Sequence, residues 1–227
     1  MNTTHETIEL DDWEDVIDFS NIQHFNITPS YLERATQGDF PKDAFSKGQL
    51  ASKAWLHHRL YTTHAVEPNS NIAILGCWIG SMVDFLLSQY IITRVYGIDI
   101  DPVSIEMADR FNYKHVQNDW KFKGVVADVS LLDTSAMTFQ IGGDLIEVSP
   151  NIVINTSCEH MGTEWFETAS NEQLIVMQTN DSSQYEGHIN CCYSIEDMQH
   201  KYPLSNTLYA GELITPAYTR YMQIGWK

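Results

Sequence analysis

Positive charge is scarce in this sequence. Its 227 residues hold 13 Lys and Arg against 30 Asp and Glu, a net charge of −17. Such a surface repels phosphate backbones and anionic lipid, so nucleic acid is set aside as a partner. Cysteine is sparse too. Cys77, Cys158, Cys191 and Cys192 form no CxxC pair and no regular framework. That excludes a disulfide scaffold and reads as reduced thiols in a cytoplasmic protein. Adjacent Cys191 and Cys192 are not taken as metal ligands. No apolar run approaches the roughly 18 residues of a membrane span. The acidic start MNTTHETIELDDWEDVIDF lacks the basic-then-apolar pattern of a secretory signal. Also missing is the G-x-G-x-x-G spacing that brings backbone up to a pyrophosphate: Gly76-Cys77-Trp78-Ile79-Gly80 does not have it, which argues against a nicotinamide or flavin dinucleotide.

What is present describes a folded α/β chain, with 43% hydrophobic and 19% charged residues. Residues 1–66 show no strand pattern and read as an N-terminal helical extension or cap. Their one helix candidate, 43–61, sets Phe45, Leu50, Ala54, Trp55 and Leu60 roughly on one face, with His57 and His58 read as surface residues. Glu67-Pro68-Asn69-Ser70 breaks the chain and opens the second region, 67–227. There, apolar runs at 72–75, 94–98, 124–127, 151–155 and 173–179 interleave with helical patterns at 81–90 and 102–111. Such interleaving predicts a parallel sheet covered on both faces. Segments 206–214 and 217–224 predict a closing antiparallel hairpin, and 138–148 a small one around Gly142-Gly143.

Ligands of open parallel sheets bind beyond the carboxyl ends of the strands, so the strand tips carry the candidates. At the first tip, Gly76 to Gly80 is either a cofactor loop or a structural turn. At the second, Asp101 caps the next helix ahead of Pro102. That leaves Asp99 either solvated or bonded to a ribose. Asp128, at the third tip, could accept from an exocyclic amine. The fourth tip, Asn155-Thr156-Ser157-Cys158-Glu159-His160-Met161, is a polar cluster directly after the apolar run NIVIN. It is either a helix start with a packed imidazole or the place where a second substrate meets a cofactor.

Together the glycine loop, GIDIDP about 20 residues on, VADV and NIVINTSCEHM resemble the class I S-adenosylmethionine-dependent methyltransferases. The resemblance covers about 70–227 and extends to Glu186-Gly187-His188-Ile189-Asn190 followed by SIEDM. It implies a Rossmann-like, seven-stranded, mostly parallel sheet with a C-terminal antiparallel hairpin. The implied cofactor is S-adenosyl-L-methionine. Its methionine part would be wrapped by Gly76, Cys77, Trp78 and Gly80, and its ribose held by Asp99. Ile100 would lie on the adenine, Asp128 would bond its amino group, and Asn155 would contribute from the fourth tip. Two positions depart from the family: Ile74 stands where an acid is usual, and Trp78 where a glycine is. Lys53 or Gln49, in the extension, would then contact the cofactor carboxylate.

The implied reaction is methyl transfer to a small molecule, or to a protein. His160 or His188 would act as base or positioner, because an imidazole titrates near neutral pH, and Glu159 would orient it. No metal is assigned. Some RNA 2′-O-methyltransferases of this fold bind a metal through glutamates and histidines in these two segments. Glu159, His160 and His188 match part of that pattern, but Thr156 replaces the earlier glutamate and the net charge opposes RNA. A cofactor-binding module without catalysis is the alternative from another class. The oligomeric state is not encoded in any motif.

Overall fold

The computed structural model describes residues 5–9, 31, 33–35 and 38–227. In chain order the strands are β1 (Glu6–Glu9), β2 (Ser70–Leu75), β3 (Ile92–Asp99), β4 (Phe122–Val126) and β5 (Met137–Ile141). They continue with β6 (Asp144–Val148), β7 (Ile152–Asn155), β8 (Leu174–Asn180), β9 (Asn206–Ile214) and β10 (Thr219–Trp226). The helices are α1 (Lys47–Thr62), α2 (Val83–Gln89), α3 (Pro102–Phe111), α4 (Tyr113–Gln117), α5 (Glu164–Glu167) and α6 (Ile195–Lys201). None of them is long and apolar enough to cross a membrane.

One sheet of order β1-β9-β10-β8-β7-β2-β3-β4 carries the fold, and β10 alone runs against the rest. Strands β7 and β8 are buried along their whole length, because helices and loops cover both faces. Alternation along β2 shows the two cores. Ile72 and Ile74 join Trp55 and Phe85 on one face, while Ala73 and Leu75 join Phe139 and Trp165 on the other. From β2 the chain moves outward to β3 and β4, then returns to lay β7 against β2's other side. Strand order therefore reverses between β2 and β7, which opens a crevice above their ends. The inserted hairpin forms as expected. Its strands β5 and β6 pair through a turn with Gly142 and Gly143 at φ of +61° and +98°, the backbone that favours glycine in two-residue turns.

The N-terminal region corrects three expectations. It does contain a strand, β1, which pairs in parallel with β9 and makes the sheet eight-stranded rather than seven. Its four residues alternate between exposed and half-buried, so the open edge of β9 defines the strand more than its own composition does. Glu6 pins it by bonding Arg59 and by accepting from the Tyr209 hydroxyl at 2.6 Å. The helix expected over 43–61 is a 3₁₀ turn, Lys42–Phe45, then α1, with an extended Ser46 between them. His57 is not a surface residue. It is 3% exposed, lies 5.8 Å from Phe85 and 5.9 Å from Tyr90 between ring centres, and burial pushes its pKa down to about 4. Its neighbour in sequence hid this, since only the tertiary packing separates His57 from the more exposed His58.

A buried carboxylate locks α2 to its surroundings. Asp84 meets Arg34, the Lys114 ammonium at 3.0 Å and the His115 imidazole at 2.5 Å. Burial alone would raise its pKa, but the His115 hydrogen bond and the Arg34 and Lys114 charges outweigh that and bring it to about 2. Asp84→Asn is expected to cost about 3 kcal/mol of stability, because it leaves the Arg34 guanidinium and the Lys114 ammonium against a neutral amide. The folded pKa lies below the unfolded one. The contribution is thus full above about pH 4 and lost as the pH falls towards 2. Urea unfolding at pH 7 and pH 3 checks this: the wild type should lose more stability between the two than the variant.

Candidate active site

The carboxyl ends of β4, β3, β2, β7 and β8, the start of β10 and the N-terminal turn of α1 surround one cavity of about 1280 Å³. At the first tip, Gly76 has φ of +61°. A Cβ there would lie 3.1 Å from Met161 Cε and 3.3 Å from Ser157 Cβ, so the backbone itself forms the wall. Cys77 and Trp78 line the cavity beside it. Trp78 holds a left-handed backbone at φ of +50°, and its N–H donates to Asp99 Oδ2 at 2.9 Å.

Asp99 organises two loops. Besides Trp78 it accepts from the Asp101 N–H at 3.1 Å through Oδ1. Each carboxylate oxygen takes two hydrogen bonds, which leaves capacity on both for a ligand. Ile100 is 65% exposed on the same wall. Asp128, which lines the cavity, accepts from the Ser130 N–H at 2.9 Å and hydroxyl at 2.7 Å, both through Oδ1, which leaves Oδ2 without a donor among the described residues.

Two expected contributors do not reach the wall. Gly80, at φ of +64°, turns toward α3, and a Cβ there would sit 2.7 Å from Asn112 Nδ2. Its carbonyl accepts from that amide at 3.1 Å, so its role is helix packing. Asn155 is fully buried beneath the floor. Its Oδ1 accepts from the Ser157 N–H at 2.9 Å, and its amide lies 3.1 Å from Met161 Sδ. Ile74 is a core residue on the α1-covered face.

The structure does bring Glu159, His160 and His188 together, one ligand-type atom of each within 4.8 Å of the others. Glu159 is 2% exposed. Its Oε1 accepts from Asn180 Nδ2 at 2.6 Å and lies 3.9 Å from the Arg220 guanidinium, while Oε2 is buried without a partner among the described residues. The His160 and His188 rings meet edge-on at 4.5 Å, and His160 Nδ1 donates to the Gly187 carbonyl at 3.2 Å. Burial, then the neighbouring His160, lower the pKa of His188. It is therefore held in its neutral, proton-accepting form.

Lys53 also lies on the wall, 8% exposed. Its ammonium donates to Gln49 Oε1 at 2.7 Å. Burial and Arg220 push its pKa down to about 7 against the pull of Asp43. Arg220 is the residue that motif reasoning missed. Its signal was present: in AYTRYMQI it shares a strand face with Met222 and Ile224 (both wholly buried), an unusual place for a charge.

Gly80→Ala is expected to cost about 1–2 kcal/mol through its left-handed backbone, and more if Asn112 cannot yield. Ligand affinity should not change at temperatures where the variant is folded. Chemical unfolding beside a ligand titration separates the two effects.

No family model and no curated protein matches the sequence. Solved structures do. Magnesium protoporphyrin IX methyltransferase (ChlM) from Synechocystis PCC 6803 with bound SAM matches with a TM-score of 0.56 at 15% identity, over 100% of each chain. N-methyltransferase NodS from Bradyrhizobium japonicum WM9 matches with a TM-score of 0.53 at 11% identity, over 78% of this chain and 98% of that one. Thermoplasma acidophilum 1320 matches at 0.51 and 13%, over 78% and 85%. At these identities the likeness concerns backbone topology, and on that ground the chain has the Rossmann-like fold of the class I S-adenosylmethionine-dependent methyltransferases.

Proposed function

We propose that this chain binds S-adenosyl-L-methionine and transfers its methyl group to a small molecule. The observation that carries the reading is the line of strand tips along one cavity. Asp128, Asp99 and the Gly76–Trp78 turn stand in the order of β4, β3 and β2, and the His160–His188 pair follows beside β7 and β8. The fit rests on the cradle at Gly76, which a Cβ would fill, and on the spare acceptor capacity of Asp99 and Asp128. Asp128 Oδ2 suits an adenine amino group, Asp99 the ribose hydroxyls, and Ile100 the flat face of the base. Bound there, the cofactor supplies an electrophilic methyl on a sulfonium.

The protein's remaining tasks are alignment of the acceptor and removal of its proton. Neutral His188 suits the second task, and His160 packs edge-on against its ring. Glu159 steadies both electrostatically from behind, while Asn180 fixes its own position. Calorimetry should show S-adenosylmethionine and its demethylated product binding the wild type, with affinity falling about tenfold or more in Asp128→Ala. Absence of binding by either compound would overturn the reading.

A second reading is favoured by the 4.8 Å cluster and the unpartnered Glu159 Oε2. Two imidazoles and a carboxylate form a ligand set for a divalent transition metal. Such an ion would polarise an acceptor oxygen and assist its deprotonation. Dialysis against Zn²⁺ or Mn²⁺ followed by metal analysis should then retain about one equivalent, lost in His160→Ala. No retained metal removes this version and leaves the imidazole pair.

A further inference from the structure

We infer that the end of the cavity between the first turn of α1 and Arg220 is a subsite for an anionic group, carboxylate or phosphate, carried by the methyl acceptor. The inference rests on the methyltransferase reading for the word acceptor, but the subsite itself rests on two buried basic side chains that Glu159 and Asp43 meet only loosely.

Two cations are buried in this corner. Among the described residues no carboxylate lies within 4.0 Å of the Lys53 ammonium, whose polar partners are the neutral oxygens of Gln49. Arg220, 4% exposed, donates to the Thr156 carbonyl at 3.3 Å and has one carboxylate, Glu159, at 3.9 Å. Asn180 already binds the Glu159 oxygen that faces it. Burying a charge without a partner costs several kcal/mol, and here two like charges raise the cost for each other. Asp43, which also lines the cavity, acts on Lys53 only at longer range, so Lys53 has no close anionic partner among the described residues.

The backbone points the same way. Gly48 and Gln49 lie in the first turn of α1, a 16-residue helix, and line the cavity. The Ser46 side chain does not cap that turn, so its positive dipole end meets the ligand space. Tyr218 completes the corner, with its ring 5.4 Å from the Arg220 guanidinium and its hydroxyl close against Gly48. In a protein with a net charge of −17, this is a local reversal of sign.

Position separates the corner from the cofactor's part of the cavity. Strands lie about 4.8 Å apart, and β10 is three strands from β2 through β7 and β8. Arg220 is thus roughly 14 Å along the sheet from the strand that leads into the glycine turn. The His160–His188 pair lies between them. An acceptor whose anionic group meets Lys53 and Arg220 would present its nucleophile to that pair.

The test follows thermal unfolding of the protein saturated with S-adenosylhomocysteine while acetate, succinate or inorganic phosphate replaces chloride at constant ionic strength. At least one of these anions should raise the wild-type melting temperature. Its apparent affinity should fall about tenfold or more in Lys53→Met and recover in Lys53→Arg, with S-adenosylhomocysteine affinity unchanged in both. An equal response in wild type and Lys53→Met overturns the subsite. So does a Lys53→Met variant that loses affinity for S-adenosylhomocysteine but not for 5′-methylthioadenosine, which lacks the amino-acid end. That pattern assigns Lys53 to the cofactor's carboxylate. If the wild type binds no S-adenosylhomocysteine, the methyltransferase reading fails, and the same anion titration on the ligand-free protein still decides the subsite.

Discussion

The side of the cavity formed by β7, β8 and β10 depends on one buried carboxylate. Glu159 follows β7, its side chain takes a hydrogen bond from Asn180 at the end of β8, and it faces Arg220 near the start of β10. Its backbone carbonyl accepts from the Ile189 and Asn190 N–H groups at 2.9 and 3.0 Å. Three strand ends and the loop that carries His188 thus converge on a single residue. Buried charge of this kind adds little net stability but is costly to mispair, so it specifies where the loop sits. The imidazole pair stands where it does because this tie holds the two segments together.

The side formed by β2 and β3 is organised by Asp99 in a similar way. Its two oxygens hold the N–H groups of Trp78 and Asp101, and so set the shape of the first two strand tips at once. Trp78 keeps a left-handed backbone there, with its N–H held on Asp99. The wall opposite comes from α1, docked through a buried two-way contact between Ser52 and Gln178 at 2.9 and 3.1 Å. That contact brings Gln49 and Lys53 over the cavity.

Much of the parallel core was legible because its signals are local. The runs at 72–75, 151–155 and 173–179 are apolar enough to declare buried strands, and Asp101-Pro102 declares a helix start. The Gly142-Gly143 hairpin was legible for the same reason. Strand β1 was not, because a four-residue acidic edge strand exists only where β9 offers a free edge. His57 was misread because a solvated face and a face packed against Phe85 and Tyr90 look alike in the local pattern.

The sequence by itself determined the kind of fold, through the period and order of its apolar runs, and it placed Asp99, Asp128 and His160 at strand tips. Which tip residues face the cavity was decided by the tertiary structure. Gly80 and Asn155 sit in tip segments yet point into the packing, one against Asn112 and the other beneath Met161. Arg220 and Lys53, 167 positions apart, become neighbours in one wall. Side-chain direction at a turn and charge pairing between distant segments depend on contacts across the fold. A linear pattern carries no record of them.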